Sequence, residues 1–288
     1  MNFAQALLSG LLIGGVYGLF SIGFSLAFGV MRIVNFAHGG VVMLGMYVGL
    51  YAFDASGIDL LVSIPAALIA GGALGAAMYL AFYARFVGRA TLQQLLLAIA
   101  LGLIIQVLAQ MAFGPNAQSI RSAWGSQYLV IGTMFASYAQ VAAFGVAVVA
   151  TLSVEALLHG TRWGHAVRAV ADDAEAAGIV GLDAQRINLG AFALSCALAA
   201  LAGSVLVTYY PVSPPVGFGL MPIALIATVI GGLGSVKGAF LGGLICGVVE
   251  QMASAAWTPA LQDVPLYILL LVFLAVRPFG LFGRPSAH

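Results

Sequence analysis

Residues 3–30, FAQALLSGLLIGGVYGLFSIGFSLAFGV, contain no charged side chain, and the first charge of the chain is Arg32. About 20 apolar residues are enough for an α-helix to cross the hydrocarbon layer of a membrane. In lipid every backbone polar group needs a partner, which makes the helix the default crossing structure; a membrane β-barrel would instead show alternating strands of about ten residues. The segment therefore predicts a transmembrane helix. It is too long for a cleaved signal peptide and has no basic residues before it.

The composition of the whole chain extends this prediction. Its 288 residues include 10 basic and 9 acidic side chains, so that 7% are charged, while 62% are apolar. A soluble domain carries about 25% charged residues, and the mean hydropathy here is +1.10. This composition excludes a water-soluble enzyme, and the net charge of +1 lacks the basic excess of a nucleic-acid-binding protein. Cys196 and Cys246 each stand alone in an apolar run, so we expect neither a disulfide framework nor a zinc site.

Eight further apolar runs follow the first one. They predict an all-α polytopic membrane protein, with one transmembrane domain over residues 1–288 and nine crossings. One run is barely long enough to span, so a re-entrant or broken helix at 219–233, giving eight crossings, is the alternative. The further runs are residues 34–53, 60–84, 92–113, 138–158, 189–210, 219–233, 238–256 and 264–282.

The basic residues outside the runs predict the orientation. Alternating nine crossings leaves Arg121 on one face, beside Asp54, Asp59 and Asp263, and the remaining basic residues on the other face. Lys and Arg concentrate in cytoplasmic loops, which predicts an outside N-terminus and a cytoplasmic C-terminus. The residues predicted to be cytoplasmic are Arg32, Arg85, Arg89, Arg162, Arg168, Arg186, Lys237, Arg277 and Arg284.

An outer loop, residues 114–137, is one of two polar segments long enough to carry a function. It contains Trp124 and Tyr128, which are aromatic residues of the kind found at membrane interfaces. They are either interfacial anchors or part of a docking surface.

The second polar segment, residues 159–188, is the predicted cytoplasmic segment. It predicts one amphipathic helix of about four turns, ended by Gly178 and Gly181, with Arg168 and Asp172 four residues apart and within reach of each other. A shallow stripe of Ala and Val suits a protein groove better than a lipid surface. The helix therefore packs either into a partner or onto its own membrane domain. The stripe consists of Val167, Val170, Ala171, Ala174 and Ala177.

Glycines recur at four-residue spacing in several runs. Small residues at this spacing let transmembrane helices approach closely, which predicts helix packing. A moving, pore-lining seam is the alternative interpretation. The repeats are Gly10, Gly14 and Gly18, Gly45 and Gly49, Gly71 and Gly75, Gly238 and Gly242, and Gly243 and Gly247.

Polar residues within or beside the runs are candidates for a transport pathway or gate. Asn35 and His38 either cap the second helix and complete a local hydrogen-bond network, or line an inner gate. The glycine-rich residues 231–234 either unwind as a gate or pack closely. Glu250 is the one acidic residue that clearly falls within an apolar run. It either has a function inside the membrane or reaches the outer interface. The pathway and gate candidates are Tyr17, Ser21 and Ser25 on one face of the first helix, then Asn35, His38, Gly231, Gly232, Gly234 and Ser235.

Several stretches together resemble a known family. The run EAAGIVG, residues 175–181, followed by Ile187 and Leu189, resembles the EAA loop by which ABC importer permeases engage their ATP-binding subunits. The spacing from the last glycine to Ile187 is shorter here, and no proline follows. With three other stretches, it is similar to the permeases of branched-chain amino acid ABC importers over about residues 5–284. Those stretches are residues 14–39, 168–183 and 231–243.

The resemblance implies a type II ABC importer permease fold in a bacterial inner membrane. It implies that the chain forms a heterodimer with a homologous second permease. It also implies that this heterodimer binds two ATP-binding subunits, which hold ATP and Mg. It further implies a periplasmic binding protein that delivers branched-chain amino acids or related small amides and acids. The residues expected to couple to the ATP-binding subunits are Arg168, Asp172, Glu175, Ala176, Ala177 and Gly181.

The sequence lacks the motifs of several enzyme classes. No G-x-x-x-x-G-K-[ST], H-E-x-x-H or G-x-S-x-G pattern occurs, so we expect no catalytic site, metal site or bound cofactor in this chain. A stand-alone secondary transporter or channel for small polar solutes is the alternative function. A proton-coupled transporter is expected to bury several acids or histidines. Glu250 is the single clear candidate in this sequence, and this scarcity favours the importer. Leucine, urea, short amides and aromatic acids all stay open as substrates.

Overall fold

The computed structural model describes residues 3–56, 63–120, 127–132, 134–256, 263–277 and 280–283. Within these residues the chain forms eleven α-helices, a short 3₁₀ helix at Tyr83–Arg85, and one antiparallel sheet of strands β1 (Tyr128–Ile131) and β2 (Met134–Ser137). Asp59, Arg121, Trp124 and Arg284 lie outside the described residues. The helices are α1 (Phe3–Met31), α2 (His38–Ser56), α3 (Ser63–Ala81), α4 (Thr91–Phe113), α5 (Tyr138–Gly160), α6 (Arg162–Asp172), α7 (Ala174–Ile179), α8 (Ala184–Leu206), α9 (Val216–Gly231), α10 (Val236–Ala256) and α11 (Val264–Val276).

Nine of these helices coincide with the predicted apolar runs. Six helices of the described residues are long and apolar enough to cross a membrane: α1, α4, α5, α8, α10 and the stretch Ser63–Arg85. α9 and α11 are apolar but have 16 and 13 residues, and at 1.5 Å per residue α9 is about 24 Å long. α9 is continuous through Pro222. The prediction of an all-α membrane protein is confirmed, while the number of crossings stays a prediction.

α1 runs through the middle of the bundle. Every position from 14 to 27 is buried, and the helix packs against α5, α8, α9 and α10. α8 is buried in the same way from position 195 to 206. The outer helices α3, α4, α5 and α11 carry large exposed apolar side chains, as expected of surfaces that face lipid. Examples are Ile69, Leu103, Ile104, Val149 and Leu271.

The antiparallel contact between α1 and α10 depends on glycine. A Cβ atom at Gly10 would lie 2.7 Å from Cα of Val248, and one at Gly14 would lie 2.8 Å from Cα of Leu244. A side chain at either position would push the two helices apart, so the small-residue spacing serves close packing, as predicted. The other repeats also pack on neighbouring helices: Gly45, Gly49, Gly71 and Gly75 on α8, Gly238 and Gly242 on α9, and Gly243 and Gly247 on α1.

One end of the bundle, named the basic end below, collects the positive charges. The Tyr83 hydroxyl donates a hydrogen bond of 2.7 Å to Asn35 Oδ1, which joins the end of α3 to the α1–α2 connection. Lys237 Nζ lies 3.1 Å from Glu155 Oε1, which joins the start of α10 to the end of α5. Every Lys and Arg among the described residues lies at this end: Arg32, Arg85, Arg89, Arg162, Arg168, Arg186, Lys237 and Arg277.

The opposite end is closed by contacts of the predicted outer loop. Gln5 of α1 donates through Nε2 to the Phe135 carbonyl and accepts through Oε1 from the Phe135 amide, both at 2.8 Å. Gln118 and Val212 exchange two backbone hydrogen bonds of 2.8 Å. Residues 114–137 contain the β1–β2 hairpin, which the prediction of a loop did not include.

Candidate functional site

Helix α6 is the first helix of the predicted cytoplasmic segment, and hydrogen bonds attach it to the end of α5. Thr161 Oγ1 accepts a hydrogen bond of 3.0 Å from Gly164 N and so caps the start of α6. The Arg168 guanidinium donates a hydrogen bond of 2.8 Å to the Leu158 carbonyl. Carbonyls in the last turn of a helix lack partners within that helix, so this contact stabilises the end of α5.

The apolar stripe of α6 faces the chain's own helices. Val167 and Val170 are buried, and α6 contacts α1, α5 and α8. Of the two alternatives from the sequence, this half of the stripe therefore packs onto its own membrane domain. Arg168 is engaged by the end of α5, and the ion pairs of the described residues do not include one between Arg168 and Asp172.

The prediction of a single helix across this segment is wrong, because the chain breaks at Asp173 into α6 and α7. Asp173 has an extended backbone (φ −153°, ψ 104°). Its Oδ1 atom accepts hydrogen bonds of 2.9 Å from Glu175 N and from Ala176 N. An aspartate is favoured here because its charge and its acceptor oxygen both satisfy the exposed amides of a helix start. Asp173 therefore starts a new helix, α7, and α6 does not continue past Asp172.

α7 ends at Ile179, between Gly178 and Gly181, the two glycines predicted to end the helix of this segment. Gly181 has a φ of +87°, and Leu182 N donates a hydrogen bond of 3.0 Å to the carbonyl of the buried Ala177. This closure is typical of a helix that ends in a left-handed glycine, where any side chain would be strained. Gly181 thus sets the direction in which the chain leaves α7.

α7 presents an acidic and apolar surface beyond the bundle. Ile179 and Val180 are 84% and 76% exposed, and Asp172, Glu175 and Ala176 are exposed as well; these five residues are named the α7 face. Large exposed apolar side chains rimmed by charges mark protein contact sites. Sequence reasoning missed Ile179 and Val180, although two branched apolar residues off the amphipathic stripe were a signal.

Asn35 and His38 lie inside the basic end, where α1 gives way to α2. Asn35 Oδ1 accepts hydrogen bonds from the Tyr83 hydroxyl at 2.7 Å and from Ala37 N at 3.1 Å, just before α2 begins. His38 Nε2 lies 2.8 Å from the Phe20 carbonyl, to which it donates. Both side chains are fully buried, and their contacts tie α2 and α3 to α1. Their role in an inner gate stays a prediction.

Residues 231–235 form the turn between α9 and α10. α9 ends at Gly231, and Gly232 and Gly234 have φ values of +102° and +85°. Ser235 Oγ accepts a hydrogen bond of 3.1 Å from a backbone amide in the first turn of α10. Phe282 N donates 3.0 Å to the Gly231 carbonyl, so the far end of the described chain covers this turn. The glycines thus form a packed turn between two helices.

The polar face of α1 is covered by α9 and α10. Ser25 Oγ accepts a hydrogen bond of 3.1 Å from Gly234 N and donates one of 3.4 Å to the Ser235 carbonyl. Tyr17, Ser21 and Ser25 are all buried. Ser25 therefore lies together with the 231–235 turn, whereas Asn35 and His38 form a separate cluster. A pathway along this face requires α9 and α10 to move away from α1.

Two more polar residues lie at this interface. Thr228 Oγ1 donates 2.7 Å to the Ala224 carbonyl and lies 3.4 Å from the Ser21 carbonyl. Sequence reasoning missed Thr228, whose hydroxyl is the signal in an otherwise apolar helix. Glu250 is 6% exposed, so it lies inside the bundle.

Fold and site together define the class of this protein. Apolar helices surround a buried central helix, the described positive charges gather at one end, and a short helix projects an exposed face from that end. It is an all-α, multi-pass membrane protein.

A family model described as "Branched-chain amino acid transport system / permease component" matches residues 6–274. The chain belongs to this family and is a permease subunit of an ABC importer.

Three relatives resemble the chain over its full length. The high-affinity branched-chain amino acid permease protein LivH of Salmonella typhimurium is 31% identical over 310 residues, covering 100% of this chain and 98% of the relative. LivH of Escherichia coli K12 is 32% identical with the same coverage. BraD of Pseudomonas aeruginosa is 29% identical over 300 residues, again covering 100% and 98%. No solved structure matches the chain.

Proposed function

We propose that this permease forms part of the translocation pathway for branched-chain amino acids or related small amides and acids. A periplasmic binding protein delivers the substrate, and a homologous second permease completes the pathway as a heterodimer. Two ATP-binding subunits supply the energy with ATP and Mg. Membership of the family supports partnership with ATP-binding and substrate-binding proteins, and the names of the full-length relatives support this substrate class.

The observation that carries the proposal is the exposed α7 face. It offers the apolar side chains of Ile179 and Val180 beside the carboxylates of Asp172 and Glu175. A partner with an apolar groove and a basic rim would match this surface. We assign this partner as an ATP-binding subunit, because the EAA-like run lies in this segment.

Contacts of α6 connect the α7 face to the helices of the bundle. α7 follows α6 directly, and α6 is bonded to α5 through Arg168 and Leu158. The Trp163 ring packs on Gly190 of α8, where a Cβ atom would lie 3.2 Å from the ring. A displacement of α7 is therefore passed to α5 and α8, and through them to the α1 interface with α9 and α10.

The proposed topology has nine crossings, an outside N-terminus and a cytoplasmic C-terminus in a bacterial inner membrane. The position of every described Lys and Arg at the basic end supports a cytoplasmic basic end. Residues 280–283 also support it, since Leu281 N donates 2.9 Å to the Ile230 carbonyl at that end. Residues 159–188 are then cytoplasmic and 114–137 are outside.

Affinity purification of the tagged chain from its native membranes, with mass spectrometry of the proteins that accompany it, tests the proposal. We expect a homologous permease and two P-loop ATPases in stoichiometric amount. Recovery of the chain alone, in mild detergent with MgATP, would contradict the importer and favour a stand-alone secondary transporter or channel for small polar solutes.

A further inference from the structure

Glu250 of α10 is a buried acid far from the basic end. It is 6% exposed, and its Oε2 atom has no hydrogen-bond partner in the part of the chain that the structure describes. A buried carboxyl oxygen without a donor is unfavourable, and acids within membrane helices usually serve a function. Packing alone therefore does not account for Glu250.

Three tyrosines are near enough to this carboxyl group to interact with it. Tyr17 of α1 lies within side-chain hydrogen-bonding reach of Glu250. Side chains lean toward the N-terminus of their own helix, so on two antiparallel helices these two side chains point toward each other. Tyr209 and Tyr210 follow α8 and are close enough to interact electrostatically with Glu250. The Tyr209 hydroxyl is buried and also has no partner among the described residues.

The described residues supply no positive charge to this cluster. Every described Lys and Arg lies at the basic end. Asp263, which interacts with both Glu250 and Tyr210, adds a further acid. A carboxyl group beside phenol oxygens and aromatic faces is the chemistry that recognises a cation. A primary ammonium group carries three N–H donors, which match acceptor atoms on Glu250, Tyr209 and Tyr17.

We propose that Glu250, Tyr17 and Tyr209 bind the primary ammonium group of an amino-acid substrate as it passes through the permease. This inference rests on the proposed function, because it requires an imported solute, and it narrows the substrate class. An amino acid engages the site, whereas urea or a simple amide has no ammonium group to offer. Tyr17 and Glu250 lie on α1 and α10, two helices that pack against each other, and Ser25 of the same α1 meets the 231–235 turn that precedes α10. Substrate passing along this interface meets the ammonium site at the end opposite the basic end.

The test uses the complete complex in proteoliposomes, with leucine-loaded binding protein and ATP. Glu250→Gln keeps the size of the side chain and removes its charge. We expect it to lower leucine uptake about tenfold or more, because a charge-assisted hydrogen bond is lost. Tyr209→Phe removes one acceptor and lowers uptake about threefold. Asp54→Asn makes the same acid-to-amide change at an exposed residue, and uptake stays unchanged.

If Glu250→Gln and Tyr209→Phe both import leucine at the wild-type rate, the proposed ammonium site is wrong. If Glu250→Gln fails to assemble, Tyr209→Phe decides, since it keeps the acid. A wild-type complex that imports urea or an amide but not leucine would overturn the site and leave the importer intact. A chain that recruits no ATPase would contradict the proposed function itself.

Discussion

The Arg168 guanidinium in α6 donates a hydrogen bond of 2.8 Å to the carbonyl oxygen of Leu158 in α5. This carbonyl lies in the last turn of α5, where a helix cannot supply its own donor. The contact therefore satisfies the end of one apolar helix and holds the helix that carries the α7 face. Loss of this bond would weaken the attachment of α6, and with it α7, to α5.

Arg168→Ala is expected to uncouple transport from ATP hydrolysis. A hydrogen bond from a charged donor contributes about 1.5–3 kcal/mol, so α6 would detach from α5 more often. Leucine uptake and phosphate release, measured in the same proteoliposomes, should show fewer leucine molecules imported per ATP. The matched control is Arg186→Ala, because Arg186 is exposed and pairs with Asp183 at 2.9 Å. The control should change the ratio less than about twofold. An unchanged ratio in Arg168→Ala would show that α6 transmits motion by another contact.

Glu175→Arg is expected to prevent docking of the ATP-binding subunit while the chain still inserts into the membrane. The substitution reverses one charge of the α7 face beside Ile179 and Val180. Co-purification of the ATPase and substrate-stimulated ATP hydrolysis should both be lost. Gln185→Arg introduces the same side chain at an exposed position in α8, with a change of one charge unit instead of two, and should retain both.

An arginine in the first turn of α7 also opposes the helix dipole. Ile179→Ser therefore serves as a second variant, since it removes an apolar contact at the far end of the helix. Normal ATPase recovery with both Glu175→Arg and Ile179→Ser would place the docking surface outside the α7 face.

The apolar helices were predictable because lipid enforces a simple rule of length and hydropathy. The predicted run 138–158 corresponds to the helix Tyr138–Gly160, and the predicted run 92–113 corresponds to the helix Thr91–Phe113. The glycine spacing predicted close packing, which the Gly10–Val248 approach bears out. In each case the information is local, so a short window of sequence is sufficient.

Outside the membrane the same reasoning was less successful. Helical periodicity continued through Asp173, but the energy of a helix cap depends on one side chain and overrides the average of the stripe. The strands β1 and β2 were read as loop, although YLVI, Gly132 and MFAS follow the pattern of strand, turn and strand. Both signals were present in the sequence.

Long-range contacts of the candidate site were beyond local reasoning. Tyr17, Ser21 and Ser25 could be placed on one face of a helix, but their cover by α9 and α10 joins residues about two hundred positions apart. Likewise, nothing near Asn35 indicates that Tyr83 is its partner. Such contacts depend on how the helices pack, which hydropathy does not encode.

Asp173→Ala is expected to loosen α7 without disturbing α6. Loss of an N-cap destabilises a helix by about 1 kcal/mol, which corresponds to about fivefold faster amide exchange in Ala174–Ile179. Hydrogen–deuterium exchange of the purified complex measures this directly. Asp173→Asn keeps an acceptor oxygen for the amides of Glu175 and Ala176 and should exchange at nearly the wild-type rate. Equal exchange in the alanine and asparagine variants would contradict the role of the cap.

A comparison of Gly14→Ala with Gly145→Ala separates helix packing from helix propensity. Alanine favours a helix over glycine by about 1 kcal/mol at either position. A Cβ atom at Gly14 would lie 2.8 Å from Cα of Leu244, whereas one at Gly145 on α5 would meet no atom within 4 Å. Because the clash is with backbone, α1 and α10 must separate, and the cost of this overpacking, up to about 3 kcal/mol, exceeds the gain in propensity. Thermal unfolding in detergent should therefore show a lower midpoint for Gly14→Ala and an equal or higher one for Gly145→Ala. Equal midpoints for the two variants would mean that α1 and α10 tolerate a wider spacing, and the glycines would then serve as a sliding seam.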